Sequence, residues 1–187
     1  MTGIELMREE HKEIKRMLKI VRVISYKILK GEELDFQEFN RVIYFISNYA
    51  DNHHHKKEEE ILFDKMIEEL GPLAKTIIKS GMLVEHDFGR LYIRDLKVAL
   101  ESLKKGDESS KLDIIANAIS YTHLLERHID KEDKVIYKYA ERELSKNTMT
   151  ILDSECFKYE ENNLEEKNKC MAILKKLEKR YSEEGVL

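Results

Sequence analysis

The stretch YTHLLERHIDKEDKVIYKYA, Tyr121–Ala140, places apolar residues at the spacing of one face of an α-helix. At about 100° per residue, the apolar stripe consists of Tyr121, Leu124, Leu125, Val135, Ile136 and Tyr139. His128 and Glu132 lie near the centre of that stripe, one helical turn apart, whereas His123 and Asp133 point away from it. The pattern predicts a long helix that turns one histidine and one glutamate toward a protein core.

Three similar patterns precede this one. Helix A covers about Ile4 to Leu29, helix B extends from an N-cap at Asp35 to Leu70, helix C follows the break at Gly71-Pro72 and carries Met82 to Leu100, and helix D covers about Leu112 to Leu144. The period-two alternation of a strand is absent. Because short connections favour antiparallel neighbours, residues 1–145 are predicted to form an all-α, up-down-up-down four-helix bundle.

A more polar helical pattern, in one piece or two, follows the bundle. Residues 146–187 are therefore expected to form a C-terminal helical extension that packs on the bundle or makes a homo-oligomer interface. Cys156 and Cys170 lie fourteen residues apart in it. That separation along one helix is too long for a disulfide, so both are expected to be reduced core residues.

Composition excludes several classes of protein. A net charge of −4 gives no sign of the clustered basic face that nucleic-acid binding requires. No apolar run approaches the roughly 20 residues of a membrane span, and the first residues, MTGIELMREEHKEI, are too charged for a signal peptide. We expect a soluble cytoplasmic protein that binds neither nucleic acid nor membrane.

The histidine-rich stretch DNHHHKKEEEILF, Asp51–Phe63, holds two overlapping His–Glu pairs of helical spacing. The core direction of helix B is set by its downstream apolar residues Leu62, Phe63, Met66, Ile67 and Leu70. At 100° per residue, His55 and Glu59 face this core, whereas His54 and Glu58 face away. The same argument predicts that His53 is a surface residue.

Helices A and C each add one inward histidine, which brings the inward polar groups to His11, His55, Glu59, His86, His128 and Glu132. A buried carboxylate without a partner costs several kcal/mol, so a cation is expected among these groups. Imidazoles with carboxylates and without thiolates suit iron or manganese, and zinc is also compatible. Glutamates on facing helices are able to bridge two ions.

Four motifs occur in order along the bundle: EEHKEI, ADNHHHKKEEEILF, GMLVEHDFGR and LLERHIDKEDKVIY. With them, the region from Ile4 to Ala140 resembles the hemerythrin-like HHE cation-binding domains. The resemblance implies a four-helix bundle with a non-haem diiron centre, bridged by two carboxylates and usually by an oxygen atom. It also implies the same six residues as ligands.

Two positions depart from the oxygen-carrying hemerythrins. Those proteins place two histidines four residues apart on helix C, whereas the second position here is Arg90. Their spacing on helix D would select Asp133, although the helix-face argument favours Glu132. One metal would then lack a nitrogen ligand, which water, Glu58, Asp51 or Asn48 could replace, while Arg90 could hydrogen-bond a bridging ligand or a glutamate.

Three functions are compatible with this site. The first is a diiron protein that binds or senses dioxygen, nitric oxide or peroxide. The second is iron storage, delivery or repair, for which exposed His53 and His54 would provide a route for the metal. The third is a structural bundle whose metal serves folding. The sequence lacks a Ser–His–Asp set, a Cys-x-x-Cys pair and a glycine-rich phosphate loop, so a dedicated enzyme is not the favoured interpretation.

Overall fold

A computed structural model describes residues 1–185, and all regular structure in that range is helical. The α-helices are α1 Gly3–Leu29, α2 Phe36–Phe45, α3 Asp64–Ile77, α4 Leu83–Lys104, α5 Ser110–Lys131, α6 Tyr137–Glu143, α7 Lys146–Asn162 and α8 Leu164–Glu183. Four π-helical stretches, with their wider turns, cover Ile46–His55, Glu58–Phe63, Ile78–Met82 and Glu132–Ile136. None of the helices within residues 1–185 is both long enough and apolar enough to cross a bilayer.

The π-helical stretches join the α-helices into the four long helices expected from the sequence. Helix B begins at α2, where the side chain of Asp35 accepts hydrogen bonds from the backbone N–H groups of Gln37 and Glu38. It ends at Gly71, whose φ of 72° is natural only for glycine. Helix C then starts at Pro72 and continues through α4, and helix D combines α5 with α6.

These four helices form the bundle. Helix A packs against helices B and D, and helix C packs against the same two neighbours. The predicted all-α, up-down-up-down four-helix fold is therefore confirmed.

The C-terminal extension consists of two helices that pack along the bundle. α7 lies against α1 and the second π-helical stretch, and α8 lies against α1, α2 and the first one. Gly3 permits the close approach of α7, because a Cβ atom at this position would lie 2.7 Å from Leu152 Cδ2. Cys156 and Cys170 are buried and free, but they lie on different helices, because a break at Asn163 separates α7 from α8.

Two apolar cores fill the bundle, one toward each end. The first extends from Ile14 to Ile28 of α1 and includes Tyr181 of α8. The second surrounds Met7 and Met66 and includes Leu152 of α7. Both C-terminal helices therefore contribute side chains to the interior. Between the two cores lies a layer of buried histidines and glutamates.

Candidate metal centre

The buried polar layer draws residues from all four helices of the bundle. Its members are His11 of helix A, His54, His55 and Glu58 of helix B, His86 of helix C, and His128 and Glu132 of helix D. None of them is more than 3% exposed. Side chains of this kind stay buried only when their polar atoms have partners.

One group of possible metal ligands consists of His55, Glu58, His86 and His128, whose ligand atoms all lie within 4.8 Å of one another. Nε2 of His86 lies 2.9 Å from Nε2 of His128 and 3.6 Å from Oε2 of Glu58. The rings of His55 and His86 are stacked, with their centroids 4.0 Å apart. Three imidazoles and a carboxylate thus converge on one point.

A second group of the same size consists of His11, His54, Glu58 and Glu132. Nε2 of His11 lies 3.3 Å from Oε2 of Glu132, and Nε2 of His54 lies 3.7 Å from Oε2 of Glu58. Glu58 belongs to both groups. The other oxygen of Glu132, Oε1, lies 3.0 Å from Nε2 of His128 in the first group. Both carboxylates therefore reach from one group to the other.

Several atoms that face this centre make no hydrogen bond to any residue within 1–185. They are Oε2 of Glu58, both carboxylate oxygens of Glu132, and Nε2 of His54 and of His55. An unpartnered buried polar atom costs about 1–3 kcal/mol, and more when it carries charge. A divalent cation in each group would satisfy these atoms, and nitrogen and oxygen donors without thiolate suit iron, manganese or zinc. The residues therefore fit a pair of metal ions.

The outward ring nitrogens of the same histidines face carboxylates. Nδ1 of His11 lies 2.8 Å from Asp133, Nδ1 of His54 2.9 Å from Glu10, Nδ1 of His86 2.6 Å from Glu59, and Nδ1 of His128 2.9 Å from Glu85. Nδ1 of His55 is 3.5 Å from Asp51. Carboxylates in this position fix the orientation of a metal-ligating imidazole and increase its basicity. They leave Nε2 of each ring directed inward.

The pKa values of groups in the centre are shifted in opposite directions. Burial and the negative charge of Glu132 raise the pKa of Glu58 well above its usual value. Burial acts the same way on Glu132, but His128 and other imidazoles outweigh it and hold the pKa of Glu132 well below its usual value. Burial lowers the pKa of His54 to about 4 and that of His55 well below its usual value. Neutral imidazoles of this kind have the free lone pair that a metal requires.

The structure brings together five of the six residues predicted from the sequence: His11, His55, His86, His128 and Glu132. Glu59 is not among them. Its side chain is 25% exposed and accepts hydrogen bonds from Nδ1 of His86 and from Arg90. Glu58 takes the expected place of Glu59, and His54 joins as a further imidazole. The expectation that His54 and Glu58 face away from the core is wrong, since both are fully buried.

The error in helix B has a geometric cause. Residues 46–55 and 58–63 are π-helical, with hydrogen bonds between residues five apart, so each residue turns through less than the 100° of an α-helix. His54, His55 and Glu58 consequently all point into the bundle. In helix D the π-helical stretch starts only at Glu132, and the pair His128–Glu132 keeps the α-helical spacing that the argument assumed.

Arg90 and the alternative ligands lie around the centre. Arg90 donates hydrogen bonds to Oδ1 of Asp51 at 2.9 Å and to Oε1 of Glu59 at 2.8 Å. Asp133 contacts His11 from the outer side, and the side-chain amide of Asn48 donates to the carbonyl of Tyr44. Arg90 stands where the oxygen-carrying hemerythrins have a histidine. The buried centre still contains five imidazoles, because helix B contributes His54 as well as His55.

A third buried group adjoins the second one. It consists of Glu10, His53, Lys57 and Glu160, and we call it the lysine cluster. Lys57 is fully buried, and its ammonium group donates to both Glu10 and Glu160. His53, predicted to lie on the surface, is only 3% exposed because α7 covers it. The predicted exposure of His123 is confirmed.

Comparison with known protein families agrees with this site. The model of the hemerythrin HHE cation binding domain matches residues 2–140. No curated protein and no solved structure shows significant similarity to the chain. The matched range contains both four-residue groups of the buried centre but ends before Glu160. On the strength of this match, the chain belongs to the hemerythrin HHE cation-binding domain family.

Proposed function

We propose that the chain holds two iron ions in the buried centre and uses them to bind or sense dioxygen, nitric oxide or peroxide. The observation that carries this proposal is the pair Glu58 and Glu132. Their unpartnered oxygens lie between two sets of inward imidazole nitrogens, in a layer closed by apolar cores on both sides. Two metal ions held by these glutamates and imidazoles would satisfy all of these atoms.

The residues divide unevenly between the two ions. His55, His86 and His128 would hold one ion, His11 and His54 would hold the other, and Glu58 and Glu132 would bridge them. The ion with two imidazoles has fewer protein ligands, so it is the one that would accept an external ligand. When bound, two ferrous ions supply two electrons and an exchangeable coordination position.

Tyr137 marks the side on which such a ligand would be held. Its hydroxyl is fully buried, donates to Oε1 of Glu58 and lies 3.3 Å from Nε2 of His11. Burial and the charge of Glu58 raise the pKa of this phenol well above its usual value, so it stays a hydrogen-bond donor. Because the phenol has one O–H, it would turn from Glu58 to donate to a small electronegative ligand at the two-imidazole group.

The alternative function in iron storage, delivery or repair depended on exposed His53 and His54 as a route for the metal. Both are buried, His54 beside Glu10 of helix A and His53 beneath α7. That observation no longer favours iron as cargo. The deep position of the centre between two apolar cores instead supports a resident metal pair.

Metal analysis combined with visible spectroscopy tests the proposal. Protein purified without added metal should contain two irons per chain, one for each group of ligands. The reduced protein should develop a charge-transfer band on exposure to dioxygen and lose it on deoxygenation. A folded, metal-free protein would refute the metal centre, and a folded protein that holds another metal would refute the assignment of iron. Irreversible oxidation without a band would leave the centre intact but rule out reversible binding of dioxygen.

Two histidine variants provide a matched control. His54→Ala removes an imidazole from the two-imidazole group and should lower the iron content, whereas His123→Ala removes an exposed histidine and should not. Equal iron content in both variants would show that His54 is not a ligand.

A further inference from the structure

A cavity of about 230 Å³ opens from the surface onto the outer side of the metal centre. His55 and His86 form part of its lining. Its buried apolar wall consists of Ile46, Ile93 and the ring of Tyr121. Nδ1 of His55 makes no hydrogen bond to residues 1–185, although Oδ1 of Asp51 lies 3.5 Å away. The cavity thus combines an apolar interior with an unsatisfied polar atom among its lining residues.

Gly89 helps to keep this space open. It lies in the interior of α4 with a helical backbone, where glycine costs about 0.5–1 kcal/mol relative to alanine. Packing does not require it, because an added Cβ would meet its nearest neighbour, Tyr121, at an ordinary 3.6 Å. Because Gly89 lines the cavity, a larger side chain at this position would occupy it.

The mouth of the cavity is positively charged. Arg90, Arg94 and Lys97 line it together with a single carboxylate, Asp51. Arg90 is already paired with Asp51 at 2.8 Å. Within residues 1–185 the one ion pair of Arg94 is with its exposed neighbour Asp95, and Nζ of Lys97 lies 3.5 Å from the hydroxyl of Ser47. Two cations are therefore available to an anion from solvent.

We propose that this cavity binds a small organic monocarboxylate, with its apolar body against Ile93 and Tyr121 and its carboxylate toward Arg94 and Lys97. The volume lies below the roughly 300 Å³ at which pockets begin to hold drug-sized ligands, so the ligand is of the size of a short fatty acid or benzoate. This binding goes beyond the proposed diatomic or peroxide ligand of the metals and does not depend on it.

Calorimetric titration of the purified protein with benzoate tests the proposal. Benzamide, which has the same shape without the charge, and inorganic phosphate, which has charge without an apolar body, serve as comparison probes. Benzoate should bind, and both other probes should bind at least about tenfold more weakly, since each lacks one half of the recognition. The double variant Arg94→Gln/Lys97→Gln should weaken benzoate binding by about tenfold or more.

Two glycine variants locate the bound probe. Gly89→Leu places a side chain in the cavity and should abolish benzoate binding, while the iron content stays unchanged because no proposed metal ligand is altered. Gly81→Leu is the matched control, since Gly81 also lacks a positive φ, has open space at its Cβ and does not line the cavity. The proposal is overturned if benzoate does not bind, or if Gly89→Leu binds it as tightly as Gly81→Leu does. Phosphate binding as tight as that of benzoate would show nonspecific attraction of anions and would also overturn it.

Discussion

Two pairs of carboxylates, all buried except the half-buried Glu160, lie side by side in this molecule and differ in how their charge is balanced. In the lysine cluster, Lys57 donates to both Glu10 and Glu160, so the protein supplies its own cation. In the metal centre, no lysine or arginine within residues 1–185 pairs with Glu58 or Glu132. The basic groups that face the second pair are imidazoles, and because imidazoles are also metal ligands, this pair is suited to ions from outside.

The cation of the lysine cluster is a fixed part of the protein, whereas the cations proposed for the metal centre are bound ions. A lysine amine is tethered and cannot be exchanged, reduced or oxidised, whereas a bound metal ion can. The two regions are nevertheless connected through Glu10. One of its oxygens accepts a hydrogen bond from Lys57, and the other lies 2.9 Å from Nδ1 of His54, a proposed metal ligand. The lysine cluster therefore also orients a residue of the metal centre.

Removal of metal should have the largest effect. Without ions, the carboxylates of Glu58 and Glu132 are left without a cation in a dry layer. A metal ion whose free concentration is about a thousand times its Kd adds about 4 kcal/mol to the free energy of unfolding. Loss of both ions should therefore lower the free energy of unfolding by about twice that amount. Urea unfolding before and after dialysis against a chelator measures the change. Zinc should restore stability without restoring the oxygen-dependent band, and identical unfolding midpoints with and without metal would contradict the comparison.

Lys57→Met should have the next largest effect. The substitution leaves the buried carboxylate of Glu10 without its lysine and removes one of the two lysines that contact the half-buried Glu160. Loss of the buried pair with Glu10 should lower the free energy of unfolding by about 3–5 kcal/mol. The altered cluster would then resemble the metal centre. The variant is expected to take up an additional divalent ion through Glu10, His53 and Glu160 and to regain part of its stability.

Lys167→Met is the control for this substitution. Lys167 also donates to Glu160, but its side chain is 25% exposed and lies at the rim of the cluster. Its loss should cost about 1 kcal/mol or less. Urea unfolding of both variants measures the contrast. Equal losses would mean that burial of Lys57 does not set its importance, and an unchanged metal content in Lys57→Met would weaken the analogy between the two regions.

After metal removal and Lys57→Met, Glu59→Gln should have the third largest effect. Glu59 holds Nδ1 of His86 and lies outside the ligand groups, so its loss should weaken iron binding by about 10–100-fold, or about 1.4–2.8 kcal/mol. Glu58→Gln removes a proposed bridging carboxylate and should weaken it further. Competition for iron with a chelator of known affinity ranks the two variants. The reverse ranking would favour Glu59 as the ligand, as the helix-face argument predicted.

Much of the fold was predictable because apolar periodicity and helix breaks are local signals. Asp35 as an N-cap and Gly71-Pro72 as a break act within a few residues, and the structure contains both. The His128–Glu132 pair was predictable for the same reason, since the helix is regular up to that point. These features require no knowledge of distant contacts.

The remaining features depend on information that a regular helical projection lacks. The projection placed His54 and Glu58 on the wrong side because it assumed α-helical turns where residues 46–55 and 58–63 are π-helical. It also placed His53 on the surface. That placement was wrong because α7, which lies more than 90 residues later in the chain, covers His53. The sequence does offer one clue to the first error, since His54–Glu58 and His55–Glu59 have identical spacing and only their direction distinguishes them.

The position of Glu160 on α7 has a consequence for how the chain folds. A polypeptide ended after residue 145 would keep every proposed metal ligand, yet it would lose one of the two carboxylates that neutralise Lys57. It would also uncover the interior residues that pack beneath Leu152 and Tyr181. The family match thus covers the proposed ligands but not the C-terminal helices that complete the interior, and we expect heat to melt the bundle and these helices in one transition.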